Sequence, residues 1–109
     1  MKLPTKFVYM NHPFKIVERK PSKDSETKRR NWGEVRWKDQ RIIINPTLKP
    51  DIHKAVFAHE LWHIALDRSG LSLDHDSLEK LIDVISHGMI EMFKSNEWFG
   101  EYFHGKSRR

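Results

Sequence analysis

The run His59-Glu60-Leu61-Trp62-His63 constrains this chain more than any other feature of its sequence. It has the pattern H-E-x-x-H and lies in a segment whose apolar spacing predicts a helix. Residues four apart lie on one helical face, so both imidazoles can reach a single ion. Catalytic zinc typically has three protein ligands and a water, from which Glu60 could take a proton. The pattern therefore predicts a metal-dependent hydrolase, most simply a peptidase.

The surroundings of the two histidines strengthen this interpretation. Val56, His59, His63 and Leu66 share one side of the predicted helix, which places the histidines within an apolar stripe. The alternative is a pair of core histidines bonded to the backbone, with Glu60 as a solvated neighbour. A buried polar pair needs a partner, and a metal ion supplies one, so we favour the metal interpretation.

Length and composition set wider limits. The 109 residues predict one small domain, spanning 1–109. The chain has no cysteine, which excludes a disulfide framework and a thiolate metal site and suits a reducing compartment. No apolar run approaches the roughly 20 residues of a membrane span. We therefore expect a cytoplasmic protein without a membrane partner.

The formal net charge of +5 is concentrated in two segments. These are residues 20–31, which we interpret as a mobile charged loop, and residues 104–109, which we interpret as a basic tail. Basic segments can attract nucleic acid, so nucleic acid is one candidate partner. We favour solvated segments, because the loop mixes charge signs, lacks interleaved aromatic residues and matches no DNA-reading motif.

The order of predicted elements gives the fold class. β-prone residues predict strands at 6–10 and 14–18, and a hairpin made of 32–37 and 41–45. The H-E-x-x-H helix should begin after Asp51 as its N-cap and end near Ser69, with Gly70 as its stop. A second helix should start between Asp74 and Asp76 and reach Ser95, and a short packed segment should follow it. We therefore expect an α+β fold, in which an antiparallel sheet of three to four strands packs on two long helices.

This order of elements resembles the small zincin-like metallopeptidase proteins of phages and mobile elements that are related to the ImmA/IrrE group. The resemblance covers about residues 32–95, and only its H-E-x-x-H part is individually specific. It implies a minimal zincin-like fold and cleavage of a regulatory protein. The segments that carry it are Gly33-Glu34-Val35, Arg41-Ile42-Ile43-Ile44-Asn45, Phe57-Ala58-His59-Glu60-Leu61-Trp62-His63-Ile64-Ala65 and Leu81-Ile82-Asp83-Val84-Ile85-Ser86-His87-Gly88-Met89.

A third metal ligand is expected from the second helix. A longer motif would place a histidine at position 69, but this chain has Ser69 there. A carboxylate is then expected, as in His₂-Glu sites, and the candidates are Asp74, Asp76, Glu79 and Asp83. Two roughly antiparallel helices would return to the level of the metal near Asp83, which is our preferred ligand. The segment that carries the resemblance puts its acidic ligand at the same place.

Glu79 is the alternative third ligand. We rank it second because it would form a capping box if Asp76 were the N-cap of the second helix. His87 lies four residues after Asp83, where it could orient that ligand or simply be exposed.

The resulting hypothesis is a zinc metallopeptidase. His59, His63 and Asp83 hold Zn²⁺, Glu60 is the general base, and an extended peptide or protein substrate pairs with the strand at 41–45 as an exposed edge. A second hypothesis is a metal-stabilised module that captures a host or phage protein without cutting it. The sequence does not determine the oligomeric state.

Overall fold

The computed structural model describes residues 3–20 and 32–105. Most of the charged loop expected near 20–31, and residues 106–109 of the basic tail, lie outside this range. The described chain forms four strands and three helices, two of them long. They are β1 Lys6–Tyr9, β2 His12–Glu18, β3 Gly33–Arg36, β4 Arg41–Ile44, α1 Pro50–Ser69, α2 His75–Ser95 and α3 Phe99–His104.

The four strands form one mixed sheet in the order β1-β2-β4-β3. β1 pairs antiparallel with β2 and β3 pairs antiparallel with β4, whereas β2 and β4 are parallel. The α+β class and the expected hairpin of β3 and β4 are confirmed. The expectation of a purely antiparallel sheet is wrong, because the hairpin docks on β2 through its second strand, β4, which runs in the same direction as β2.

The position of β4 also changes which strand is an edge. We expected residues 41–45 to form an exposed edge, but β4 lies between β2 and β3. Ile42, Ile43 and Ile44 are all 0% exposed, as expected for a central strand that is covered on both faces. That expectation is therefore wrong, and within the described sheet the edge strands are β1 and β3.

Helix α1 begins two residues earlier than expected. Its N-cap is Lys49 and not Asp51, because Pro50 occupies the first helical position, where its missing N–H costs nothing. Asp51 lies in the first turn, where its negative charge interacts favourably with the positive end of the helix dipole. The predicted C-terminus is confirmed: Gly70 has φ of 82°, and its N–H bonds to the Asp67 carbonyl.

The core lies between α1 and one face of the sheet. Gly33 lets β3 approach α1 closely, since a Cβ at this position would lie 2.8 Å from Val56 Cγ1 and 3.2 Å from the Ile43 carbonyl oxygen. At the turn that leads into α1, Asn45 Oδ1 accepts hydrogen bonds from the Thr47 backbone N–H and hydroxyl. The buried residues of this core are Phe14, Ile16, Ile42, Ile44, Val56 and Ile64.

The chain divides into two compact units, Met1–Leu73 and Asp74–Arg109. The first contains the sheet and α1, and the second contains α2 and α3. The expectation of one domain over 1–109 stays a prediction. In the second unit α2 has the expected bounds to within a residue, and the expected short segment near its C-terminal side is α3.

We predict that Gly33→Ala destabilises the protein by about 1–3 kcal/mol, the usual cost of overpacking a closely packed site. The added methyl group would push against Val56 and the Ile43 carbonyl. Urea unfolding measures the effect. Gly88→Ala is the matched control, because nothing lies within 4 Å of its Cβ position. Gly88 is inside α2, so alanine there should raise stability by about 0.5–1 kcal/mol. Wild-type stability in Gly33→Ala would contradict the close approach.

Candidate metal centre

His59 and His63 lie one turn apart on α1, as the motif spacing requires. Their ring centroids are 4.9 Å apart, with an interplanar angle of 64°. Both residues are half-buried. Two imidazoles so close together can each direct one nitrogen at a common ion, because neighbouring side chains at i and i+4 project from the same face.

Glu60 is buried, with 7% of its surface exposed. Val56 and Ile64, four residues to either side of it, are 8% and 0% exposed and belong to the core. Glu60 therefore lies on the core-facing side of α1 and is not the solvated neighbour that the alternative interpretation requires.

His59, His63 and Glu79 form a group that could hold a metal ion. One ligand atom from each side chain lies within 4.8 Å of the others, and all three residues are half-buried. Among the described residues, no other group of three or more histidine, aspartate or glutamate side chains brings its ligand atoms this close together.

The donor set fits a zinc ion. Two imidazole nitrogens and one carboxylate oxygen are the ligands of His₂-Glu catalytic zinc sites, which keep a fourth position open. Zn–N and Zn–O distances of about 2.0–2.2 Å place the ligand atoms of a tetrahedral ion roughly 3.4 Å apart. The three ligand atoms, which lie within 4.8 Å of one another, therefore form a candidate group for one ion.

Asp83, our preferred third ligand, is not a member of this group. Its side chain is exposed. His87 is exposed as well, and its Nδ1 donates a hydrogen bond to the Asp83 backbone carbonyl at 2.9 Å. The assignment of Asp83 stays a prediction, and the grouping favours Glu79, the alternative that the sequence left open.

Glu79 was ranked second because it would form a capping box with Asp76, and the structure does not have this capping box. The N-cap of α2 is Asp74 and not Asp76, because the Asp74 side chain accepts a hydrogen bond from the Ser77 N–H at 3.1 Å. Hydrogen bonding from Ser77 lowers the pKa of Asp74. Ser77 is thus the third residue of the helix, and Glu79 lies too far along it to form a capping box. The Asp74-Ser77 pair was the sequence signal that could have fixed this register.

The other histidines lie away from the group. His53 Nε2 is 3.1 Å from Glu18 Oε2, and the His53 side chain is 19% exposed. His12 Nδ1 donates to the Met10 carbonyl at the turn between β1 and β2. His75 and His104 are exposed.

No family model, curated protein or solved structure matches this chain. The resemblance to the ImmA/IrrE group therefore stays a prediction from motif and element order. Within residues 3–20 and 32–105, no helix has the length and apolar character needed to cross a membrane.

We predict that the protein binds one zinc ion and that Glu79→Gln weakens this binding by at least about tenfold, which corresponds to about 1.4 kcal/mol. Isothermal titration with zinc measures the affinity. Asp83→Asn is the matched control and should leave the affinity unchanged. Zinc should also raise the melting temperature and a chelator should lower it, because the ion binds the native state. His63→Ala should abolish both responses.

Two results would contradict this assignment. If Asp83→Asn loses zinc while Glu79→Gln keeps it, then Asp83 is the third ligand. If wild-type protein purified without a chelator takes up no zinc, the assignment of a metal centre is wrong.

Proposed function

We propose that this chain is a zinc-dependent metallopeptidase-like hydrolase that cuts a peptide bond in a protein or peptide substrate. His59, His63 and Glu79 hold the metal, and Glu60 is the general base. The observation that carries the proposal is the combination of this three-residue donor group with a buried carboxylate on the residue directly after the first histidine.

The donor group supports the choice of metal and reaction. Bound zinc supplies Lewis acidity towards water and a carbonyl oxygen. The two imidazoles and the Glu79 carboxylate would hold the ion, and three protein ligands are the usual number at a catalytic zinc. Zinc is favoured over harder cations because nitrogen donors outnumber oxygen donors in the group.

Glu60 carries the proton transfers in this proposal. Its carboxylate takes the proton of the attacking water and then delivers it to the leaving amine. α1 holds Glu60 in place from both sides, since Val56 and Ile64 are anchored in the core. A base fixed in this way needs no reorganisation before it accepts the proton, which is the advantage of placing it on a packed helix instead of a loop.

The substrate would lie along β3. This strand is an edge of the described sheet, so its outer backbone groups can pair with an extended peptide. Gly33 brings β3 against Val56, which is one helical turn before Glu60. A peptide added to β3 would therefore run close to α1. This assignment replaces β4, which cannot accept a further strand because it already has two neighbours.

We predict that Glu60→Gln lowers the rate of peptide hydrolysis by about 10²–10⁴-fold, the usual contribution of a general base. The amide has nearly the same shape as the carboxylate but cannot accept the proton. A library of internally quenched peptides, incubated with the zinc-loaded protein, measures the rate. Glu91→Gln, an exposed glutamate on α2, is the matched control and should retain full activity. Zinc titration of both variants should give wild-type stoichiometry.

The same variant separates cleavage from capture. If Glu60→Gln hydrolyses peptides at the wild-type rate, then Glu60 is not the base and the proposed mechanism fails. If the wild-type protein binds zinc and a protein partner but neither it nor Glu60→Gln cuts that partner, the chain is a metal-stabilised binding module.

A further inference from the structure

Five aromatic side chains form one connected cluster at the end of the second compact unit. Phe93 of α2 meets Phe99 edge-on at 5.0 Å between ring centroids, and Phe99 lies 4.9 Å from Phe103. Tyr102 contacts both Phe103 and Trp98, at 5.1 and 6.1 Å, and Trp98 returns to Phe99 at 5.7 Å. We call these five residues the aromatic surface.

Most of the aromatic surface faces solvent. Tyr102 is 71% exposed, Phe103 67%, Trp98 57% and Phe93 47%. With about 200 Å² for each whole side chain, these four expose roughly 500 Å² together. The largest apolar patch of a typical monomer covers about 300–600 Å², and patches of that size often mark interaction sites. Met92, 48% exposed and adjacent to Phe93 in the chain, adds to the apolar area.

The area suits a second copy of this chain. A standard interface buries about 800 Å² on each partner, and the roughly 500 Å² of exposed rings would form the apolar centre of such an interface. Tyrosine, tryptophan, phenylalanine and methionine are also the residues enriched at the centres of interfaces. Small units gain the most from such burial, because a short chain leaves a large share of its apolar surface exposed.

The charges around the rings favour the same occupant. The exposed charged residues interleaved with them carry both signs: Lys94, Glu97 and Glu101. In a two-fold interface, residues away from the axis meet different residues of the other copy, so a rim with both signs can complement itself. A phosphate chain is a poorer fit, because Glu97 and Glu101 would repel it beside the rings on which bases would stack.

We propose that the aromatic surface is a self-association interface, at which two copies of this chain pack Trp98, Tyr102 and Phe103 against each other around a two-fold axis. The inference rests on α2 and α3 alone and needs neither the metal nor catalysis.

Sedimentation velocity of the full-length protein over a wide micromolar range tests the proposal. The wild type should pass from monomer to dimer as its concentration rises. The double variant Tyr102→Ser, Phe103→Ser should raise the dimer dissociation constant by about 100-fold or more, the scale expected when interface hot spots are lost. Val84→Ser is the matched control: Val84 is 69% exposed on α2 but is not in the aromatic surface, so this variant should dimerise like the wild type.

Two further measurements keep the result decisive. Circular dichroism should show that the double variant keeps its helices, and the single variant Tyr102→Glu, which places like charges across the axis, should weaken the dimer in the same way. A wild type that stays monomeric at every concentration would overturn the proposal, as would a double variant that dimerises like Val84→Ser. Binding of a single-stranded oligonucleotide by the monomer, lost in the double variant, would assign the surface to nucleic acid instead. We expect the same dimer dissociation constant with and without a chelator. This result would show that self-association does not depend on the proposed metal centre.

Discussion

The close approach of β3 to α1 at Gly33 is the constraint on which the candidate site depends. Gly33 has no side chain, so Val56 packs against backbone at this point and the helix lies directly on the sheet. Glu60 follows Val56 by one turn, and His59 and His63 flank it, so the same contact fixes the direction in which all three side chains leave α1. An edge strand that carried a larger residue at position 33 would move the helix, and with it the whole motif.

Glu60 is a buried carboxylate on a packed face of α1. Val56 and Ile64, four residues to either side of it, belong to the core. A carboxylate removed from water costs several kcal/mol unless other groups compensate for the lost hydration. The chain places this carboxylate directly after the first of two histidines that could share an ion. An acid at a packed position, beside groups that could bind a metal, is the kind of departure from simple packing that is expected at a functional position.

The sequence predicted those features that depend on short-range rules. The hairpin of β3 and β4, the C-terminal stop of α1 at Gly70 and the two histidines on one helical face all follow from turn chemistry and helical periodicity. The sheet order did not, because parallel pairing of β2 with β4 joins residues far apart in the chain, and no local pattern specifies it. The run Ile42-Ile43-Ile44 did carry a signal, since three consecutive apolar residues indicate a strand covered on both faces, which an edge strand would not need.

The third ligand shows how the choice of helix register changes which acid is assigned to the metal. Glu79 and Asp83 are four residues apart and share one side of α2, so helical phase cannot distinguish them. They differ by about 6 Å along the helix axis, and the extra methylene of glutamate recovers only a small part of that distance. An N-cap at Asp76 shifts the expected level of the metal towards Asp83. It also explains Glu79 as the acidic residue of a capping box, without a metal. With Asp74 as the cap, bonded to Ser77, the capping-box explanation of Glu79 no longer applies. Glu79, on the earlier turn of α2, is then the acid that could complete the metal group. Identification of the N-cap therefore has to precede any argument about which acid on a second helix completes an H-E-x-x-H site.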